Sequence, residues 1–199
     1  MSKIIKIRKG LDIKLNGQAA KTLQTVDQSD LFAIKPPEFP GLTPKLNVKE
    51  GFEVKAGSPL FHNKYNPDLL FCSPVSGIVK AINRGDRRRI LEVVVESDGK
   101  NLNEEFTKGD PASLSREDIK TNLLKGGVWP FIRQRPYGII ANPEETPKSI
   151  FISGFDSAPL APDMDFILKD QEGLFQKGVD ALVKLTDGKV HLNLKEGNN

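Results

Sequence analysis

Sulfur and imidazole are scarce in this chain: one cysteine, Cys72, and two histidines, His62 and His191, stand among 199 residues. A lone cysteine excludes a disulfide within the chain, a cysteine-ligated zinc site and an iron–sulfur cluster held by this chain by itself. Two histidines leave few ways to build a nucleophile–base pair or a metal centre. His62 falls in a polar hairpin and His191 in an expected strand, and neither sits in a triad arrangement. No apolar run approaches the roughly 20 residues of a membrane-spanning helix. No basic segment followed by an apolar stretch opens the chain, so a secretory signal is not expected. The reading therefore names no catalytic residue and no metal ligand. What is present is ample: hydrophobic residues make up 38% and charged residues 28%, enough apolar material for a packed core. The length allows one large domain or two small ones.

Charge divides the chain. Residues 1–100 carry a net charge of +6 and residues 101–199 a net of −3. The excess sits in two clusters, Lys3, Lys6, Arg8, Lys9 and Lys14, and then Arg84, Arg87, Arg88 and Arg89. A basic half can face an anionic surface, whether lipid headgroups or an acidic protein. No aromatic residues are interleaved to stack on bases, so nucleic acid is not the expected partner.

The first half reads as β. Ile5 and Ile7, then Leu11, Ile13 and Leu15, alternate with polar residues and close on Asn16-Gly17, the period of half-buried strands. Residues 35–47 hold four prolines, which marks extended connecting chain or an edge strand. Val48, Val54 and Leu60 then recur every six residues, with Gly51 and Gly57 at the same interval. Short apolar strands separated by glycine turns account for that pattern. Leu69 to Phe71, Ser73-Pro74-Val75-Ser76-Gly77, Ile78 to Ile82, a turn at Asn83-Arg84-Gly85-Asp86, and Ile90 to Val95 continue the series. Short strands at this spacing indicate a small sandwich or barrel.

The second half changes character. Ser115 with Asp118 approximates a capping box. Ile119, Leu123 and Leu124 share a helical face, and Gly126-Gly127 supplies a left-handed end. Ser149 to Ser153 reads as a buried strand. Residues 171–186 read as an amphipathic helix, and Asp187-Gly188 turns into a strand through Val190, Leu192 and Leu194. Strand, helix and strand make a βαβ unit, whose strands pair in parallel by default. One such unit cannot cover both faces of a parallel sheet, so the chain is expected to be the front part of a longer protein. The expected organisation is a β-rich region over residues 1–102, with the barrel-sandwich at about 30–100, and an incomplete α/β region over 103–199.

The repeat from Val48 to Phe61, followed by Ser73 to Val79, resembles the biotinyl/lipoyl-like barrel-sandwich (hammerhead) module. Carriers of that type bear a modified lysine on the hairpin between the halves. Lys64 lies at the corresponding place, but its neighbours His62, Asn63, Tyr65 and Asn66 are not those of a carrier. A biotin- or lipoate-bearing carrier domain is thus the alternative reading, with Lys64 an ordinary surface lysine in the leading one.

A second resemblance covers nearly the whole chain. Ile5 to Asp12, the Val48–Phe61 repeat, Phe71 to Gly77, Ala81 to Gly85, Gly127 to Pro130, Arg133-Gln134-Arg135-Pro136-Tyr137, Phe151 to Asp156 and Leu185 to Val190 are similar to the A-subunit family of the sodium-translocating NADH:quinone oxidoreductases. The run Trp129 to Tyr137 is its most specific part. The resemblance implies a fold of α+β, multi-domain type: a barrel-sandwich followed by the beginning of a Rossmann-like α/β domain. It implies a peripheral protein on the cytoplasmic face of the bacterial inner membrane, without a transmembrane segment. It implies partners among the other subunits, especially the membrane flavin subunits. FAD, FMN, riboflavin and a 2Fe-2S centre would belong to those other subunits, and electron transfer from NADH to quinone would be coupled to sodium export. Related flavin-carrying subunits hold flavin phosphate on a glycine-rich loop. Here Gly126 and Gly127 stand at that position, with Val128 and Trp129 in place of small residues. A bulky side chain blocks such an approach, so neither FMN nor NADH is expected there.

Five residues remain as a candidate quinone site: Trp129, Phe131, Arg133, Arg135 and Tyr137. Together they could form a flat apolar slot with cationic edges. The structural alternative, in which the aromatics pack beneath a loop, weighs more. Cys72 reads as a small buried hydrophobe, and Asp163, Asp165 and Asp170 as an acidic helix start rather than a calcium loop.

Overall fold

The six-residue repeat of Val48, Val54 and Leu60 places all three side chains in the interior. Gly51 and Gly57 between them adopt φ of +84° and +95°, the left-handed region that glycine enters without strain. In the computed structural model, which describes residue 13, residues 15–17 and residues 19–195, this repeat is the centre of two facing sheets. The larger one is built from β1 (Leu31–Ile34), β3 (Glu53–Val54), β6 (Gly77–Arg84) and β7 (Ile90–Ser97), in the order β1-β7-β6-β3. The smaller is β2 (Pro44–Leu46), β4 (Pro59–Asn63) and β5 (Asn66–Cys72), in the order β2-β4-β5. All pairings in both sheets are antiparallel. The proline-rich stretch supplies the edge strand β2 and a short 3₁₀ turn at Pro36–Glu38, positions where a missing N–H does least harm.

One apolar cluster joins the two sheets. Leu60, Phe61, Leu69 and Phe71 come from the smaller sheet, and Val79, Val93 and Val95 from the larger. Phe61 stacks on Phe71 at 4.8 Å, and Phe39 meets the other side of Phe71 edge-on, also at 4.8 Å. Each buried side chain of this size contributes about 1.5–3 kcal/mol, and the ring pairs add packing geometry to burial. The serines of the Ser73–Gly77 segment have local duties. Ser73 Oγ donates to Val75 O, and Ser76 Oγ donates to Asp98 Oδ1, each at 2.6 Å. The Ser76 hydroxyl and the Lys100 amide hold the Asp98 carboxyl below its usual range.

The second region begins with α1 (Arg116–Lys125). Ser115 caps it, accepting from the Asp118 amide while the Asp118 side chain accepts from the Ser115 amide. This is the expected capping box. Ile119 and Leu124 are buried, and Leu123 packs against the same cluster. A two-stranded hairpin of β8 (Arg133–Gln134) and β9 (Ile139–Ile140) follows. Then come β10 (Ser149–Ser153), α2 (Met164–Leu168), α3 (Glu172–Lys184) and β11 (Lys189–Asn193). β10 and β11 pair in parallel across α3, the βαβ unit read from the sequence.

Three expectations change. The strand expected over Ile5 to Leu15 falls largely outside the described residues; Ile13 and Leu15 are exposed and lie outside any strand, since no described strand pairs with them. The turn expected at Asn83–Asp86 lies at Gly85–Arg89, because a register shift at Asn83/Arg84 carries β6 to the glycine. The strand β10, expected to be buried, has no buried residue. Ile150 faces the cluster, whereas Phe151 on the opposite face is 68% exposed and stacks on His191 of β11. Only one face of this two-stranded sheet meets the core.

Gly77 tests the pairing of β6 with β7 in the larger sheet. A Cβ there would lie 1.9 Å from the Glu96 carbonyl oxygen at a φ of +153°. Gly77→Ala is expected to lower folding stability by about 3 kcal/mol. Gly178→Ala, on the exposed side of α3 with open space around it, is expected to raise it by about 0.5–1 kcal/mol. Urea midpoints measure both, and a Gly77→Ala protein of parental stability would contradict this register.

Candidate functional site

The segment after α1 stands where related subunits have a phosphate loop, a role not expected here, and it leads into the candidate quinone residues; its hydrogen bonds decide how it can act. Gly127 N donates to Leu124 O at 3.2 Å, and Val128 N donates to Leu123 O at 3.0 Å. Gly126 N donates to Asn122 O at 2.8 Å. With Gly127 at φ +68°, the first two bonds form a Schellman closure of the helix. The three amides that a phosphate cradle would need to offer are turned onto the helix's own carbonyls. A Cβ at Gly127 would come within 3.0 Å of Cys72 Cβ and Sγ, so this glycine also lets the loop lie against the end of β5.

Cys72 lies under that loop. Its Sγ donates to Lys125 O at 3.3 Å. Burial pushes the thiol up to about 11, and the nearby Glu104 carboxylate acts in the same direction. The thiol is half-buried rather than fully buried, and it stays protonated at neutral pH.

The five residues of the candidate quinone slot part company. Trp129 is only 6% exposed, and its Nε1 donates to Ala141 O at 2.8 Å. The indole is therefore core and does not stand over the loop amides. Phe131 is 72% and Tyr137 76% exposed. Arg133 folds back on the β8–β9 turn, donating from Nη1 to Gly138 O at 3.2 Å. Arg135 is exposed and precedes a cis peptide to Pro136. The structure thus leaves Phe131, Arg133, Arg135 and Tyr137 exposed in and beside the β8–β9 hairpin and encloses Trp129.

A concavity of about 140 Å³ lies elsewhere, lined by Pro36, Pro37, Phe39, Pro40, Leu42 and Pro44 with Arg89 and Ile90. In the sequence the prolines read as connector and the arginine as part of a turn. Nothing in local spacing joins residues 36–44 to 89–90, and only the sheet order brings them together. Phe39 links this hollow to both neighbours: its ring lies 4.8 Å from that of Phe71 and 6.3 Å from that of Phe131.

The remaining candidates have structural roles. Lys64 and Tyr65 form the tip of the β4–β5 hairpin. The Lys64 amide donates to Thr43 O at 2.8 Å, and its ammonium sits 5.8 Å from the centre of the Tyr65 ring. His62 bonds Asn47, while His191 stacks on Phe151 in another sheet. Asp163 caps α2, accepting from the amides of Asp165 and Phe166, and pairs with Lys21. Those bonds to Lys21 and to the helix amides hold its carboxyl below the usual range. No helix of the described residues is long and apolar enough to cross a membrane.

Comparison with known proteins agrees with the fold. Residues 5–98 match the family model described as the NqrA N-terminal barrel-sandwich hybrid domain, and residues 114–199 match the NqrA second alpha/beta domain. The chain belongs to the NqrA family. It is similar to the A-subunit of the Na(+)-translocating NADH-quinone reductase of Yersinia pseudotuberculosis serotype O:1b (strain IP 31758), with 39% identity over 191 residues, covering 95% of this chain and 43% of that relative. The protein of the same name from Photorhabdus laumondii is 38% identical over 191 residues, with the same coverage. That of Actinobacillus pleuropneumoniae is 36% identical over 187 residues, covering 93% of this chain and 42% of the relative. The chain spans less than half the length of these relatives. In this NqrA-family chain the fold is a barrel-sandwich hybrid followed by an α/β region, as the sequence leads one to expect.

The environment of Cys72 predicts slow chemistry. With its pKa near 11, the thiolate fraction at pH 8 is about 100-fold below that of a free thiol. Alkylation by iodoacetamide should be slower by at least that factor and should accelerate as pH rises toward 11. A rate equal to that of a model peptide thiol at pH 8 would contradict the burial described.

Proposed function

We propose that this chain is a peripheral, cofactor-free part of a sodium-translocating NADH:quinone reductase. It binds other subunits of that complex and supports electron transfer from NADH to quinone coupled to sodium export. FAD, FMN, riboflavin and a 2Fe-2S centre are carried by those other subunits, and the chain lies against the cytoplasmic face of the bacterial inner membrane. The observation that carries this reading is the loop after α1. The family match supplies the setting, and Gly126, Gly127 and Val128 direct their amides to α1 instead of to a nucleotide phosphate. A loop closed in this way lacks the free N–H groups on which backbone phosphate recognition depends.

The carrier reading finds less support. Lys64 stands on a two-residue hairpin tip whose backbone is tied to Thr43, and the family matched is that of a respiratory complex. A quinone contact made by this chain would draw on the exposed Phe131, Arg135 and Tyr137, since Trp129 is enclosed.

Co-expression of the full-length protein with the membrane subunits tests the proposal. It should co-purify with them, and when stripped from them it should show no flavin absorbance band and the unmodified intact mass. Failure to co-purify would overturn the assignment to the complex. A retained flavin band would overturn the cofactor-free role, and an added biotin or lipoate mass on Lys64 would favour the carrier.

A further inference from the structure

The hollow beneath the prolines, the exposed ring of Phe131, the arginine turn between β6 and β7 and the β8–β9 hairpin form one continuous surface. Arg89 lines the hollow at one end. Phe39 lies in its floor and turns its ring toward Phe131. A Cβ at Gly41, also in the lining, would be 4.0 Å from Ile139 Cγ2 of the β8–β9 hairpin, the hairpin that carries Arg133, Arg135 and Tyr137. The surface thus runs from the β6–β7 turn, over a proline-lined hollow, to the β8–β9 hairpin.

Its charge is lopsided. Residues 36–44, 84–90 and 131–140 contain six arginines, Arg84, Arg87, Arg88, Arg89, Arg133 and Arg135, against two carboxylates, Glu38 and Asp86, and Gln134 holds a third, Glu145, against the β8–β9 hairpin at 3.0 Å. None of the six is in an ion pair among the described residues. The turn that presents three of them is stiffened. Arg84 Nη1 donates to Arg88 O at 3.1 Å, Gly85 N donates to Arg89 O at 2.9 Å, and Arg87 and Arg88 hold positive φ. Exposed arginine beside exposed phenylalanine and tyrosine is the composition of interface hot spots.

We propose that this surface receives a segment of a partner polypeptide whose apolar centre enters the proline-lined hollow and whose flanking carboxylates meet Arg87–Arg89 on one side and Arg135 on the other. The inference rests on the reading that the chain works within a multisubunit complex. A concave centre lined by proline, phenylalanine and leucine, between two cationic ends, favours an inserted side chain with acidic flanks over a membrane surface, which would call for protruding apolar anchors. Unpaired guanidiniums at both ends match carboxylates in bidentate geometry.

The assembled complex tests this directly. A photo-crosslinking p-benzoylphenylalanine is introduced in place of Phe131, in place of Tyr137, or in place of Tyr65 on the distant β4–β5 hairpin. The first two positions should crosslink to one partner protein, and Tyr65 should not. The crosslinked segment should have an apolar centre flanked by Asp or Glu. A synthetic peptide of that segment should bind the full-length chain at least tenfold more weakly after Arg88→Glu or Arg135→Glu, with folding checked by circular dichroism, and more weakly as salt is raised. Crosslinks to lipid, a segment without acidic flanks, or no crosslink in a complex that still co-purifies would each overturn the proposal while leaving membership of the complex intact. Loss of co-purification by the unaltered protein would instead remove the functional reading and the inference with it.

Discussion

Helix α1 ends against the last residue of β5, and much of the second region takes its position from that contact. Gly127 turns left-handed, its amide and that of Val128 close the helix, and its bare Cα lies against Cys72. Any side chain at Gly127 would separate the helix from the sheet. Because the loop closes there, Trp129 enters the core directly after it, and Phe131 emerges on the other side beside Phe39. The seam between the barrel-sandwich and the α/β region is therefore set by a helix cap. The same bonds occupy the amides of Gly126, Gly127 and Val128 with carbonyls of α1.

The constraint reaches the interior through β5. Phe71, one residue before Cys72, lies between Phe61 of the core and Phe39 of the proline-lined hollow. Rings in contact at this spacing form a packed column, so the hollow has the core as its floor. A surface built on such a floor is preformed, which reduces the ordering cost of binding.

The strand periodicity of the barrel-sandwich is plain in Val48, Val54 and Leu60, because a fixed spacing of apolar residues and glycines needs no distant information. The α1 cap is equally plain in Ser115 and Asp118. The exposure of Phe151 is not, because an apolar Ser-Ile-Phe-Ile-Ser run looks the same whether one or both faces are covered. The burial of Trp129 fits the favoured packing reading, but its separation from Phe131 and Tyr137 is hidden for a related reason. Its neighbours Arg133, Arg135 and Tyr137 suggest a shared slot, but a 3₁₀ turn at Trp129–Phe131 points successive side chains in different directions. The joining of Pro36–Pro44 to Arg89 depends on sheet order, which no local motif encodes.

The central claim is that the amides of Gly126, Gly127 and Val128 close α1 and are withheld from any nucleotide phosphate. Amide hydrogen exchange at those three positions, with and without excess FMN, measures this most directly. The account predicts slowed exchange at all three and no change on adding FMN. Exchange at the rate of an open loop, or protection that appears only with FMN, would contradict it.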